Sequence, residues 1–185
     1  MNDHLPHAAP FRWDAMSRRL HWLTAVLVML QFGLAELWDR PGRELHHLMV
    51  VWHMSFGILL SIVLLARIAW RLLPKHRRLS GAGGLAGLAA RGMHLLLYVL
   101  LLAQVVLGYA LRWSGSRPLS FFGLPIPSPV SPAAKPLRHL LLTLHDWGGW
   151  ALIALAAAHA AAAAWEHLVL KHDTLRRMLP FLRAS

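Results

Sequence analysis

LLLTLHDWGGWALIALAAAHAAAAAWEHL, residues 140–168, decides the fold of this chain. It is longer than the roughly 20 apolar residues that cross a bilayer. Alanine, the best helix former, fills its second half. Two histidines, His145 and His159, interrupt the apolar run fourteen residues apart. At 3.6 residues per turn they project from nearly one face, separated by roughly 21 Å of helix rise. One therefore lies toward each membrane surface.

Three further apolar segments stand N-terminal to it, at residues 20–37, 47–72 and 92–112. Four spans give an all-α, integral membrane four-helix bundle in a single domain over residues 1–185. The composition agrees. The chain is 57% hydrophobic with a mean hydropathy of +0.46, whereas soluble domains run at about 45–50% apolar. Residues 20–37 follow Arg18 and Arg19 as a signal peptide would, but the run is long for one and lacks a small-residue cleavage site, so it stays as a helix.

The net charge of +11 is a matter of topology rather than of nucleic-acid binding. Thirteen of the 19 Lys and Arg residues fall in the N-terminal tail, the second connection with its flanks, and the C-terminal tail. The other six, Arg40, Arg43, Arg112, Arg117, Lys135 and Arg138, fall on the opposite side. The positive-inside rule then places both termini in the cytoplasm. On the inner side, residues 74–90 form a basic and then Gly/Ala-rich turn against anionic lipid. On the outer side, residues 113–136 form a long proline-rich connection carrying Phe121 and Phe122, read either as a lid or as a plain solvated loop.

There are no cysteines, which excludes a thiolate-held iron–sulfur cluster, a C-x-x-C-H haem attachment and disulfides. Thirteen histidines in 185 residues carry the functional information instead. By depth, His21 near the inner start of the first helix pairs with His159. His53 near the outer start of the second pairs with His145. A six-coordinate haem iron takes one imidazole from each face, so two pairs at two depths suit two haem b groups in a helical bundle. The residues four positions on, Ala25, Gly57, Gly149 and Ala163, are small enough for a porphyrin to lie against the helices. His94 reads as an ordinary interfacial residue. Arg67 and Arg71 read equally as partners of haem propionates and as positive-inside flanks. A haem-free bundle whose histidines carry protons is a further reading.

These residues sit in motifs that resemble the bacterial cytochrome b561 family, relatives of the cytochrome b subunits of nickel hydrogenases and formate dehydrogenases. The motifs are S-R-R-L-H-W-L (Ser17 to Leu23), W-H-M-S-F-G (Trp52 to Gly57), H-L-L-L-Y (His94 to Tyr98), L-H-D-W-G-G (Leu144 to Gly149), H-A-A-A-A-A-W-E-H (His159 to His167) and L-R-R-M-L-P (Leu175 to Pro180). Where family members often carry two consecutive histidines after the inner ligand, this chain has Glu166 and His167. The resemblance implies iron ligation by His21 with His159 and by His53 with His145. It also implies a cytoplasmic (inner) membrane location, ubiquinone as electron acceptor and superoxide as the outer donor. On that expectation the chain is a superoxide:quinone oxidoreductase. The alternative is an electron-relay subunit serving a partner dehydrogenase or hydrogenase.

Overall fold

The computed structural model describes residues 14–40, 42–73, 84–172 and 174–179. Four long helices, α1 (Ala15–Leu37), α2 (Arg43–Leu72), α3 (Gly84–Ser114) and α4 (Lys135–Leu168), are each long and apolar enough to cross a membrane. A two-stranded antiparallel hairpin, β1 (Leu119–Phe121) and β2 (Leu124–Ile126), lies between α3 and α4 in sequence, and a short α5 (Thr174–Met178) follows. The architecture is an all-α membrane four-helix bundle carrying one small hairpin.

Local chemistry sets the helix starts. Asp14 caps α1 by accepting from the Ser17 N–H at 2.9 Å and from the Ser17 hydroxyl at 2.7 Å, satisfying donors that a helix N-terminus leaves open. Proline in the first turn of α4 costs nothing, because that N–H has no helical partner. The third helix begins at Gly84, earlier than the start at residue 92 expected from hydropathy. Residues 84–90, expected as part of the inner turn, are its first two turns, and 74–83 lie outside the described residues.

Packing is uneven in a way that matters for the site. α1 packs chiefly on α2 and α3 chiefly on α4, so the bundle consists of two helical hairpins that touch sparingly across a cleft. A layer of buried leucines, Leu27, Leu60, Leu64, Leu101 and Leu152, brings all four helices together at mid-height. Many remaining apolar side chains, among them Val26, Met29, Ile62, Leu65 and Val106, face outward, as lipid-exposed surfaces require. At the inner end the Trp22 indole N–H donates to the Met178 carbonyl at 3.1 Å, tying the C-terminal segment to the base of α1.

The outer connection is a docked hairpin. Ser55 on α2 is fully buried, and its hydroxyl lies 2.7 Å from the Val51 carbonyl and 3.3 Å from the Ser120 carbonyl while accepting from the Phe122 N–H at 2.8 Å. Phe122 and Gly123 turn the hairpin with φ of 49° and 93°. The Phe122 ring meets Phe56 edge-on. Ser55→Ala removes the hydroxyl that accepts from the Phe122 N–H, a loss of about 0.5–1.5 kcal/mol for one hydrogen bond. The expected result is faster hydrogen exchange across residues 119–126 with the four helices unchanged.

A candidate cofactor site between two helical hairpins

Each of the four histidines singled out by depth faces the cleft between the hairpins. The rings of His21 (α1) and His159 (α4) have centroids 6.4 Å apart and planes at 72°. Those of His53 (α2) and His145 (α4) lie 6.3 Å apart at 85°. A metal–imidazole bond is about 2.0 Å and the nitrogen lies roughly 1.1 Å from its ring centre, so two imidazoles trans on one ion have centroids roughly 6.3 Å apart. Both pairs have that separation. The leucine layer lies between them, with Leu152 midway along α4 from His145 to His159.

The outer pair opens on a cavity of about 960 Å³, near the top of the range of about 300–1,000 Å³ for small-molecule and cofactor pockets. Gly57, Gly108 and Gly149 line it. A Cβ at Gly108 would stand 3.3 Å from Cε1 of His145, so this glycine lets the edge of that ring approach α3 closely. A Cβ at Gly149 would meet nothing within 4 Å, so that glycine borders open space.

Hydrogen bonding orients the outer rings. Nδ1 of His53 lies 3.2 Å from the Gln31 carbonyl. With the proton on Nδ1, that bond leaves Nε2 free to bind a metal. Gln31 and Gln104 also line the cavity, and Gln31 Oε1, Gln104 Nε2 and His145 Nδ1 are buried with no partner among the described residues. The Gln104 carboxamide fills the space that a Cβ at Gly148 would need.

No three His, Asp or Glu side chains converge on a metal position among the described residues. A porphyrin, which brings its own nitrogen donors to the iron, suits a site that offers two histidines. The trans spacing, the glycine-lined space and the His53 tautomer all fit a haem at the outer pair. At the inner pair the spacing fits as well. Ala25 and Ala163 are half-buried there.

The structure also brings together residues that sequence reasoning set apart. His94 stands ten residues inside α3 rather than at its start, and its ring lies 5.1 Å from that of His159, too close for the two to be trans on one ion. Arg67 Nη2 donates to His21 Nδ1 at 3.1 Å. Gln31, Gln104 and Gly108 carry no pattern in the sequence beyond two polar residues within apolar runs, and that cost was the available signal. His46 lies instead on the Trp38 carbonyl at 2.9 Å, with Asp39 at 3.4 Å. Glu166 bonds His172 at 2.7 Å and His167 lies 3.0 Å from the His172 carbonyl, so both residues of that departure are engaged at the end of α4.

At the outer mouth Arg112, Arg117, Lys135, Arg138 and His139 line the same cavity as the outer histidine pair, together with Glu36, Asp39 and Asp146. Arg112 donates through Nε to the Pro118 carbonyl at 2.8 Å, fixing it beside the hairpin. The mouth is net cationic.

Residues 12–181 match the family model for prokaryotic cytochrome b561. Cytochrome b561 homolog 2 of Escherichia coli (strain K12) is 34% identical over 181 residues, covering 92% of each chain. Cytochrome b561 homolog 1 of the same organism is 32% identical over 170 residues, covering 87% of this chain and 93% of its own. A probable superoxide oxidase CybB of Yersinia pestis is 28% identical over 176 residues, covering 91% of this chain and 96% of its own.

Proposed function

The chain belongs to the prokaryotic cytochrome b561 family of b-type haem membrane electron-transfer proteins, and we propose that it carries electrons from superoxide at the outer face, through two haems, to ubiquinone. The observation that supports this reading best is the presence of two facing histidine pairs at two depths, both at the separation of imidazoles trans on one iron. In this reading His53 and His145 hold the outer haem, and His21 and His159 the inner. The protein sits in the bacterial inner membrane with both termini cytoplasmic, as its arginine and lysine distribution favours.

The haems supply a one-electron ferric/ferrous couple, and the chain's own residues do the rest. The Gln31 carbonyl keeps the His53 ring in register, and Gly108 gives His145 its resting place. The hairpin held by Ser55 packs over the outer part of α2. The leucine layer between the two pairs offers no hydrogen-bonding path, so it hinders proton passage.

Superoxide is a small anion, and the cationic cavity mouth speeds its encounter with the outer site. The rate of haem reduction by superoxide is expected to fall as salt rises, because screening shortens the reach of those charges. Arg117→Gln is expected to lower the low-salt rate several-fold and to flatten the salt dependence. The test is a stopped-flow series across ionic strength with the protein in liposomes containing ubiquinone. A rate indifferent to salt would contradict steering. Absence of superoxide oxidation, together with co-purification of a large soluble dehydrogenase, would transfer the chain to the relay role.

A further inference from the structure

Two guanidinium groups sit at the inner histidine pair. Arg67 and Arg71 are one turn apart on α2, and both lie over the Tyr98 ring of α3, with Cζ atoms 4.9 and 5.7 Å from its centre. Among the described residues neither forms an ion pair with Asp or Glu. Like charges at this spacing on a helix repel, and a cation within a membrane helix is costly unless it is paired. Stacking on Tyr98 recovers part of that cost. It supplies no negative charge.

Arg67 also donates to Nδ1 of His21. A neutral imidazole that gives Nε2 to a metal keeps its proton on Nδ1, and an N–H there cannot accept from a guanidinium. The Arg67 contact and ligation through Nε2 are therefore mutually exclusive. Once His21 binds iron, Arg67 must take another acceptor. A guanidinium fork matches the two oxygens of a carboxylate.

We propose that Arg67 and Arg71, held on Tyr98, form a carboxylate-binding site at the inner end of the cleft that takes a propionate of the inner haem. This rests on the haem reading above. A phospholipid phosphate presents the same anionic oxygens, so the test has to separate the two sources. The charges also act on the iron: a nearby cation stabilises the reduced form, which carries one electron more. The clamp would therefore raise the inner potential.

The full-length parent, Arg67→Gln, Arg71→Gln and the double variant are produced in a haem-deficient host supplied with either haem or its dimethyl ester. Haem per chain is counted by pyridine haemochrome, and both midpoints are measured by optical redox titration. In the parent, the inner site is expected to take free-acid haem in preference to the ester by roughly tenfold or more, the worth of charge-assisted hydrogen bonds. The double variant is expected to lose that preference. Each single variant is expected to lower the inner midpoint and leave the outer one unchanged. Should the double variant lose its inner haem altogether, Arg67→Lys, which keeps the charge without the fork, is expected to retain the haem with a weaker preference for the free acid. Unchanged midpoints with equal ester preference in parent and variants would overturn the proposal and leave the arginines to lipid phosphate. A parent without haem would instead refute the haem reading itself.

Discussion

Purified His145→Ala protein is expected to carry one low-spin b haem per chain where the parent carries two, and to lose electron transfer across the bilayer. Alanine offers no sixth ligand, and His53 alone cannot complete the outer iron. The inner pair lies beyond the leucine layer, roughly 21 Å further along α4 by its helical rise, so its haem stays in place with its spectrum unchanged. His94→Ala serves as the contrasting variant. Its ring lies closer to His159 than the His21 ring does, yet the trans spacing assigns the ligand role to His21. His94→Ala is therefore expected to keep both haems, and loss of the inner haem from it would overturn that choice.

Gly149→Val is expected to remove the outer haem without disturbing the protein around it. A Cβ at Gly149 meets no neighbouring atom within 4 Å, so the first carbon that valine adds overlaps nothing within the chain. Only a guest in the cavity would meet it. Forcing extra carbon into an otherwise filled space costs about 1–3 kcal/mol, a roughly five- to hundredfold loss of affinity. Haem per chain should fall toward one, with membrane yield and helix content equal to the parent. Two haems bound at parental affinity would show that the cavity beside His145 is not the seat of the macrocycle.

Much of this architecture was legible because bilayer physics is written in runs of residues. Four apolar stretches gave four helices, and the expense of burying histidine made His21, His53, His145 and His159 conspicuous. The periodicity of α4 puts His145 and His159 on nearly one face. Hydropathy says where hydrocarbon begins, however, and not where a helix does. Gly84 to Ala90 is rich in small residues and arginine follows at 91, so the first turns of α3 extend past the apolar stretch without signalling it.

The outer hairpin was half legible. Its prolines implied restraint, but nothing local announces that Ser55, more than sixty residues upstream, supplies the hydroxyl that docks it. The orphaned carboxamides of Gln31 and Gln104 and the close approach of Gly108 to His145 arise only when the two helical hairpins are set side by side. Arg67 illustrates the same limit. As a sequence feature it was either a topogenic charge or a propionate partner, and its hydrogen bond to His21 became visible only in three dimensions.

The most direct test of the central claim is a reduced-minus-oxidised optical spectrum of the purified parent chain, with pyridine-haemochrome quantitation against protein mass. Two b haems per chain is the predicted result. A colourless protein from cells well supplied with haem would contradict the assignment and return the four histidines to proton transfer or packing.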